Sequence, residues 1–263
     1  MDLGIQGRVA LVAAASRGLG KAIAWELARE GAAVVICARG KERLRLTAEE
    51  IARDTGARVV AIAADVTSTR DVNGLVDKVV QTFGRLDILV NNAGGPPPGP
   101  TLTFSDEEWR KALELNLLST VRLTRAAVPI MRANRWGRII NMTSVAVKQP
   151  LADLVLSNAA RSGVIAFAKT LAQELAPEGI TVNSVCPGFT RTERVLELAR
   201  ARAEREGTTL EQVLAGYDRQ IPMGRMGEPA EIAALVAFLA SERASYITGV
   251  AIQVDGGYVR GPF

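Results

Sequence analysis

Val9-Ala10-Leu11-Val12-Ala13-Ala14-Ala15-Ser16-Arg17-Gly18-Leu19-Gly20-Lys21 reads as an apolar strand that passes through two closely spaced glycines into an amphipathic helix. Glycine at 18 and 20 permits a tight turn and close approach to the backbone, and the helix's first N–H groups are free to meet a pyrophosphate. A glycine turn is weak evidence alone, so its surroundings decide. Six more short runs follow: Ala33–Cys37, Val59–Ala63, Leu86–Val90, Gly137–Met142, Thr181–Val185 and Val250–Val254. Each is nearly continuous in apolar character, as strands covered on both faces of a parallel sheet are. Between them lie helical patterns at Lys21–Glu30, Lys41–Asp54, Asp71–Phe83, Trp109–Ala133, Arg161–Ala176 and Pro229–Ala240. This alternation predicts right-handed βαβ units and a three-layered, doubly wound α/β fold of Rossmann type around a parallel seven-stranded sheet. No linker, repeat or low-complexity tract divides the chain, so residues 1–263 read as one domain.

Composition narrows the chemistry. The chain is 48% hydrophobic and 23% charged, with a formal net charge of +4 and opposite charges interspersed along the helices. That is a solvated surface rather than a nucleic-acid footprint. Histidine is absent, which removes Ser-His-Asp and Cys-His catalysis and His-ligated zinc. The two cysteines, Cys37 and Cys186, lack metal-ligand spacing and read as reduced thiols, so no metal is expected. No signal peptide and no apolar run of about 20 residues is present, and the expected compartment is the cytoplasm, away from the membrane.

Two interruptions point to a binding edge. Gly94-Gly95-Pro96-Pro97-Pro98-Gly99-Pro100 is a loop after the fourth strand, and a polar, Arg- and Glu-rich helical segment fills residues 190–220. Ligands of open α/β sheets bind outside the carboxyl ends of the strands. Both segments leave strands there, and the second reads as a flap over a substrate, or more plainly as a solvated helical excursion.

Several motifs together resemble the short-chain dehydrogenase/reductase family. Ala13 to Gly20 resembles its Thr-Gly-x-x-x-Gly-x-Gly turn, with Ala13 and Ala14 in place of threonine and the first glycine; Ala14, Ser16, Arg17, Gly18, Leu19 and Gly20 are the implied cofactor contacts. The Ala14 methyl is expected to crowd the turn slightly. Asn91-Asn92-Ala93-Gly94 matches the Asn-Asn-Ala-Gly motif, and Asp65-Val66 sits where an aspartate holds the adenine. Pro187-Gly188, Thr190 and Thr192 resemble the segment beside the nicotinamide carboxamide. Tyr246–Gly249 and Val254–Gly257 resemble the closing segment of 3-oxoacyl-carrier-protein reductases. The matches run from about residue 7 to about residue 258.

Cofactor choice has a physical argument of its own. An NAD site places an acid about 20 residues beyond the glycine turn, on the ribose hydroxyls. Here the second strand ends Cys37-Ala38-Arg39, without one. Arg39 and Arg17 offer planar donor forks suited to a 2′-phosphate. NADP(H) is therefore preferred over NAD(H).

The resemblance breaks at the catalytic dyad. Ser144 and Asn116 match the family's serine and asparagine, but its Tyr-x-x-x-Lys pair falls on Ser157 and Arg161. The downstream helix aligns without a gap, and the three tyrosines, Tyr217, Tyr246 and Tyr258, all lie far downstream. A phenol of pKa about 10 can be tuned toward neutrality, whereas serine is a far weaker acid and arginine does not titrate near pH 7. Lys148, on the loop leaving the fifth strand, is the candidate replacement donor: partly desolvated beside Arg161, its pKa would fall. Asp153 is a weaker candidate that reads equally well as a helix cap. Two functions stay open: an NADP(H)-dependent carbonyl reductase acting on a small molecule, 3-oxoacyl-type compounds included, or an NADP(H)-binding pseudoenzyme with a sensing or assembly role. The resemblance also implies a homo-oligomer, dimer or tetramer, built through the long helices and the last strand.

Overall fold

A computed structural model describes residues 2–261; Met1, Pro262 and Phe263, inside the expected single domain, lie outside the described residues. Seven strands are present among them: β1 (Val9–Val12), β2 (Ala33–Ala38), β3 (Val59–Ala63), β4 (Ile88–Asn91), β5 (Gly137–Met142), β6 (Ile180–Pro187) and β7 (Ala251–Val254). All pair in parallel, in the order β3-β2-β1-β4-β5-β6-β7. The continuous apolar runs are explained by burial of both faces. Ala10, Val12, Val34, Ile36, Ile88 and Val90 pack on one side, while Val9, Leu11, Val35, Leu89, Ile139 and Val182 pack on the other. Each large aliphatic side chain so buried contributes about 1.5–3 kcal/mol.

The described helices are α1 (Gly18–Arg29), α2 (Lys41–Thr55), α3 (Thr69–Phe83), α4 (Asp106–Leu113), α5 (Ser119–Ala133), α6 (Val155–Leu175), α7 (Glu193–Glu206), α8 (Leu210–Gln220) and α9 (Pro229–Leu239). Helices α1, α2 and α9 cover the first face through Ile23, Leu27, Leu44, Ile51, Ile232 and Val236. Helices α3, α5 and α6 cover the second through Leu75, Val79, Leu123, Met131, Ala168 and Leu175. The chain winds from β1 outward to β3, then returns to place β4 on the other side of β1. A crevice therefore opens where the carboxyl ends of β1 and β4 diverge.

Three expectations about helices need correction. The stretch expected as one helix, Trp109–Ala133, starts earlier and is interrupted. Ser105 caps α4 in a capping box with Glu108, and a π-helical turn at Glu114–Leu118 separates α4 from α5. Its wider spacing, with the Ser119 N–H bonded to Glu114 O, inserts a residue and re-aims the side chains there. Helix α6 begins at Val155, one turn or more before the expected start, so Ser157 lies inside its first turn. The single helical segment expected over residues 190–220 is two helices, split by Gly207 in the left-handed region and restarted by a Thr209–Gln212 capping box.

Candidate active site

The turn after β1 is built on left-handed backbone. Gly18 has φ +56°, and a Cβ on Gly20 would lie 2.4 Å from Ala14 O and 2.9 Å from Asn92 Nδ2. Asn92 closes the crevice from the β4 side, donating from Nδ2 to Ala13 O at 3.2 Å and Ala14 O at 3.4 Å. Ala14 itself has φ +48°. The difficulty with alanine there is thus the sign of φ more than the bulk of its methyl, a cost of about 1 kcal/mol. Leu19 packs on the core, and Ser16 O accepts from Thr47 Oγ1 at 3.1 Å, tying the turn to α2.

Other cofactor candidates surround this cradle. Asp65 Oδ1 accepts from the N–H and hydroxyl of Thr67, at 2.9 and 2.7 Å, with half-buried Val66 packed beside it. Pro187 ends β6, the Gly188 N–H donates to Val254 O at 3.0 Å, and Thr190 is buried with its hydroxyl on Gly188 O. Thr192 caps α7 and faces Gly18 across the groove. Arg39 stands exposed at the end of β2. Arg17 instead meets Arg43 at a shared carboxylate, Glu193, with Glu197 Oε1 also 3.3 Å from Arg17 Nη1. A cavity of about 780 Å³ runs from Ser16–Gly18 between α1 and α2, bounded by Arg43, Thr47, Thr192 and Glu193. A cradle that a single Cβ would fill, beside helix N–H groups and paired guanidinium groups, fits an extended dinucleotide phosphate.

Two catalytic candidates, Ser157 and Arg161, are tied to the carboxyl ends of β4 and β5 by the contacts of one side chain. Arg161 is the hub: its Nε donates to Ser157 Oγ at 3.1 Å, and Nη1 donates to Met142 O at 2.9 Å and Thr143 O at 3.3 Å. Nη2 reaches Ala93 O at 3.5 Å. All four partners are neutral oxygens. Burial, aided by repulsion from Arg194, pulls the Arg161 guanidinium down to about 10, so it remains charged at neutral pH. Ser157 is buried, and Ser144 Oγ accepts from the Ala146 N–H at 3.1 Å. Both hydroxyls thereby keep their own protons to donate. Asn116 sits in the π-helical turn, with Nδ2 on Gly94 O at 2.8 Å and its buried Oδ1 without a partner among the described residues.

Lys148 follows a short 3₁₀ turn, Val145–Val147, and is half-buried. Its charge and that of Arg161 both bear on the Cys186 thiol, which lies 3.1 Å from Thr143 Oγ1. Burial pushes that thiol up; the Thr143 contact and then the two cations pull it partly back. Asp153 is not a cap: it has φ +60°, and its carboxylate pairs with Arg205 of α7 at 2.9 Å. Helix α7 is fastened again where Arg194 Nη2 donates to Pro96 O at 2.7 Å, and the loop after β4 is tied to the loop before α6 where the Gly99 N–H donates to Asp153 O at 2.8 Å. Arg43 and Glu193, which also line the cavity between α1 and α2, do not stand out in the sequence, because each sits among like-looking charges on a helix surface.

The sheet order, the glycine cradle at the β1/β4 crevice and the polar cluster at the ends of β4, β5 and α6 define a dinucleotide-dependent type of α/β oxidoreductase site. Residues 13–259 match a family model described as enoyl-(acyl carrier protein) reductase. A 3-oxoacyl-[acyl-carrier-protein] reductase of Aquifex aeolicus is 38% identical over 98% of this chain and 99% of its own. The crystal structure of L-sorbose reductase from Gluconobacter frateurii, complexed with NADPH and L-sorbose, superposes with a TM-score of 0.94 at 37% identity, covering 99% of this chain and 100% of that one. A variant of actinorhodin polyketide ketoreductase with NADPH gives a TM-score of 0.93 at 36% identity, over 97% of this chain and 98% of its own. The chain belongs to the short-chain dehydrogenase/reductase family and is an oxidoreductase of its 3-oxoacyl-[acyl-carrier-protein] reductase-like kind.

Proposed function

We propose that the protein is an NADP(H)-dependent carbonyl reductase with an atypical proton-delivery site. The observation that carries this reading is the Arg161 Nε–Ser157 Oγ hydrogen bond, 3.1 Å long, from a half-buried guanidinium that no carboxylate among the described residues neutralises. A decayed site has no reason to keep such a charge, since a cation drawn partly out of water without a counter-charge is costly. Relatives that reduce carbonyl compounds with NADPH support the same substrate class.

When bound, the cofactor supplies the hydride; the residues do the rest. Ser144 and Ser157 donate hydrogen bonds to the carbonyl oxygen, which polarises it and fixes its orientation. Arg161 holds the Ser157 hydroxyl in place, and its positive charge offsets the alkoxide that develops. Asn116 secures the Gly94 backbone. Lys148 delivers the proton that a serine hydroxyl surrenders too reluctantly. The flap, α7 and α8, excludes water above the site. The protein works as a homo-oligomer in the cytoplasm, in keeping with its two buried, unbridged cysteines; no described helix is long and apolar enough to cross a membrane.

The test is NADPH oxidation by the purified protein against a panel of ketones that includes 3-oxoacyl thioesters, with Lys148→Ala alongside. Turnover that drops by about 10²–10⁴-fold in the variant supports Lys148 as donor. Tight NADPH binding without turnover on any member favours the pseudoenzyme, the reading that replacement of the dyad by Ser157 and Arg161 would otherwise support.

A further inference from the structure

Two guanidinium groups from different helices grip the loop that leaves β4. Arg161 of α6 reaches Ala93 O with Nη2 at 3.5 Å, and Arg194 of α7 donates from Nη2 to Pro96 O at 2.7 Å. Gly95 lies between these carbonyls. A Cβ there would sit 3.2 Å from Arg194 Nη2 and 3.3 Å from its Nε, so the glycine is what lets the second guanidinium lie against the backbone. Both cations are half-buried, and the repulsion of Arg194 is felt at Arg161. Holding like charges together, partly out of water, costs stability unless an anion joins them. The nearby carboxylates are engaged elsewhere. Glu197 comes no closer to Arg194 than 3.9 Å and also holds Arg17. Asp153 pairs with Arg205, and Asp255 accepts from the N–H groups of Gly257 and Val259. Arg194 Nε and Nη1 donate no hydrogen bond among the described residues. The phosphates of a dinucleotide have their own place at the glycine turn, on the β1 wall of the crevice.

We propose that Arg194, admitted by Gly95, is the specificity residue for a carboxylate on the substrate, so that the compound reduced here is an oxo acid whose carboxylate lies close to its carbonyl. The proposal rests on the reductase reading and narrows its substrate class. The carbonyl oxygen is held by Ser144 and Ser157, Arg161 stands behind Ser157, and Arg194 stands beside Arg161 on the flap side. A carboxylate next to the carbonyl meets the free N–H groups of Arg194 and accepts charge-assisted hydrogen bonds from them. It also lies between the two cations and turns their repulsion into attraction. An ester or thioester of the same acid offers only a neutral acceptor. The contact of Arg194 with Pro96 O fastens the flap in the position that this recognition needs, so binding and closure favour one another.

Initial rates of NADPH oxidation on acid and ester pairs test this, pyruvate with methyl pyruvate and acetoacetate with methyl acetoacetate. The proteins compared are wild type, Arg194→Met, Gly95→Ala and, as a charge control, Arg200→Ala at an exposed position of the same helix. Wild type should favour the acid of at least one pair about tenfold or more in kcat/KM. Arg194→Met should lower that acid's kcat/KM about 10- to 100-fold, chiefly through KM, and the ester's at most about threefold. Gly95→Ala should shift the same ratio in the same direction, and Arg200→Ala should leave it unchanged. A wild type that reduces the esters as well as the acids overturns the proposal and spares the reductase reading. An NADPH affinity that falls in Arg194→Met as far as the acid's kcat/KM, followed by fluorescence titration, makes Arg194 a cofactor ligand and also overturns it. Absence of turnover on every pair removes the reductase reading, and calorimetric titration of oxamate into the protein loaded with NADP⁺ then decides the anion site. Oxamate binding that Arg194→Met loses upholds the site; no binding, or equal binding to both proteins, overturns it.

Discussion

Gly20→Ala probes the cradle most sharply. The added Cβ would sit 2.4 Å from Ala14 O, 2.8 Å from Ala15 Cα and 2.9 Å from Asn92 Nδ2. An ordinary contact needs about 3.5 Å, so the turn must retreat by about 1 Å. Overpacking of this kind costs about 1–3 kcal/mol. Loosening the Asn92 bonds to Ala13 O and Ala14 O adds about 1 kcal/mol, and alanine's better helix propensity returns about the same. The net loss is about 2 kcal/mol, or a fall in Tm of about 4–8 °C for a chain of this size. NADPH affinity should fall more than tenfold, because the N–H groups that meet the pyrophosphate move with the turn. Gly18→Ala is the internal control. Its nearest contact would be 3.8 Å away, at Thr192, so its cost is only that of φ +56°, about 1 kcal/mol. Thermal unfolding and NADPH titration of both variants give the ranking. A Gly20→Ala protein that melts within about 1 °C of wild type, or no lower than Gly18→Ala, would refute the close approach on which the cradle rests.

Ala14→Gly relieves a left-handed residue, so the variant should be as stable as wild type or more stable by up to about 1 kcal/mol, checked by urea unfolding. Cys37, which burial pushes up to about 12, and Cys186, also raised by burial, should both resist a thiol reagent at pH 8 in the native protein and react only after unfolding. Hydrogen bonds from Arg225 and then the Glu228 N–H hold the Glu231 carboxyl at about 2. A depressed carboxylate stabilises above its unfolded pKa and loses that contribution as pH falls through the folded value. The stability gap between wild type and Arg225→Ala should therefore be full at pH 6 and close between the ordinary carboxylate range and pH 2, followed by acid titration of unfolding midpoints.

How far the sequence could be read depended on whether a signal was local. The strands were legible because both faces of each are apolar, and the cradle because glycines stand between a strand and a helix. Ser144, Asn116, Ser157 and Arg161 are candidates because of their position along aligned segments. The π-helical turn around Asn116 leaves no compositional trace, since it differs from an α-helix only in which carbonyl each N–H meets. The break between α7 and α8 did leave one: Gly207 followed by Thr209-Leu210-Glu211-Gln212 is a helix stop and a capping box, and reading the segment for polarity alone passed over it. The start of α4 at Ser105-Asp106-Glu107-Glu108 carries the same signature. Arg43 had no local mark, because its meaning comes from Glu193, 150 residues further on.

The flap also has a small apolar interior of its own: Ala199, Ala203, Val213, Tyr217, Ile221 and Met226 cluster apart from both main layers, with Phe189 stacked on Tyr217 at 4.4 Å. Its contacts are largely with itself, so its integrity and that of the sheet are separable. Mutational drift can therefore reshape the surface proposed to meet the substrate with little cost to the sheet. Selection for a new substrate has a place to act that leaves the dinucleotide cradle untouched.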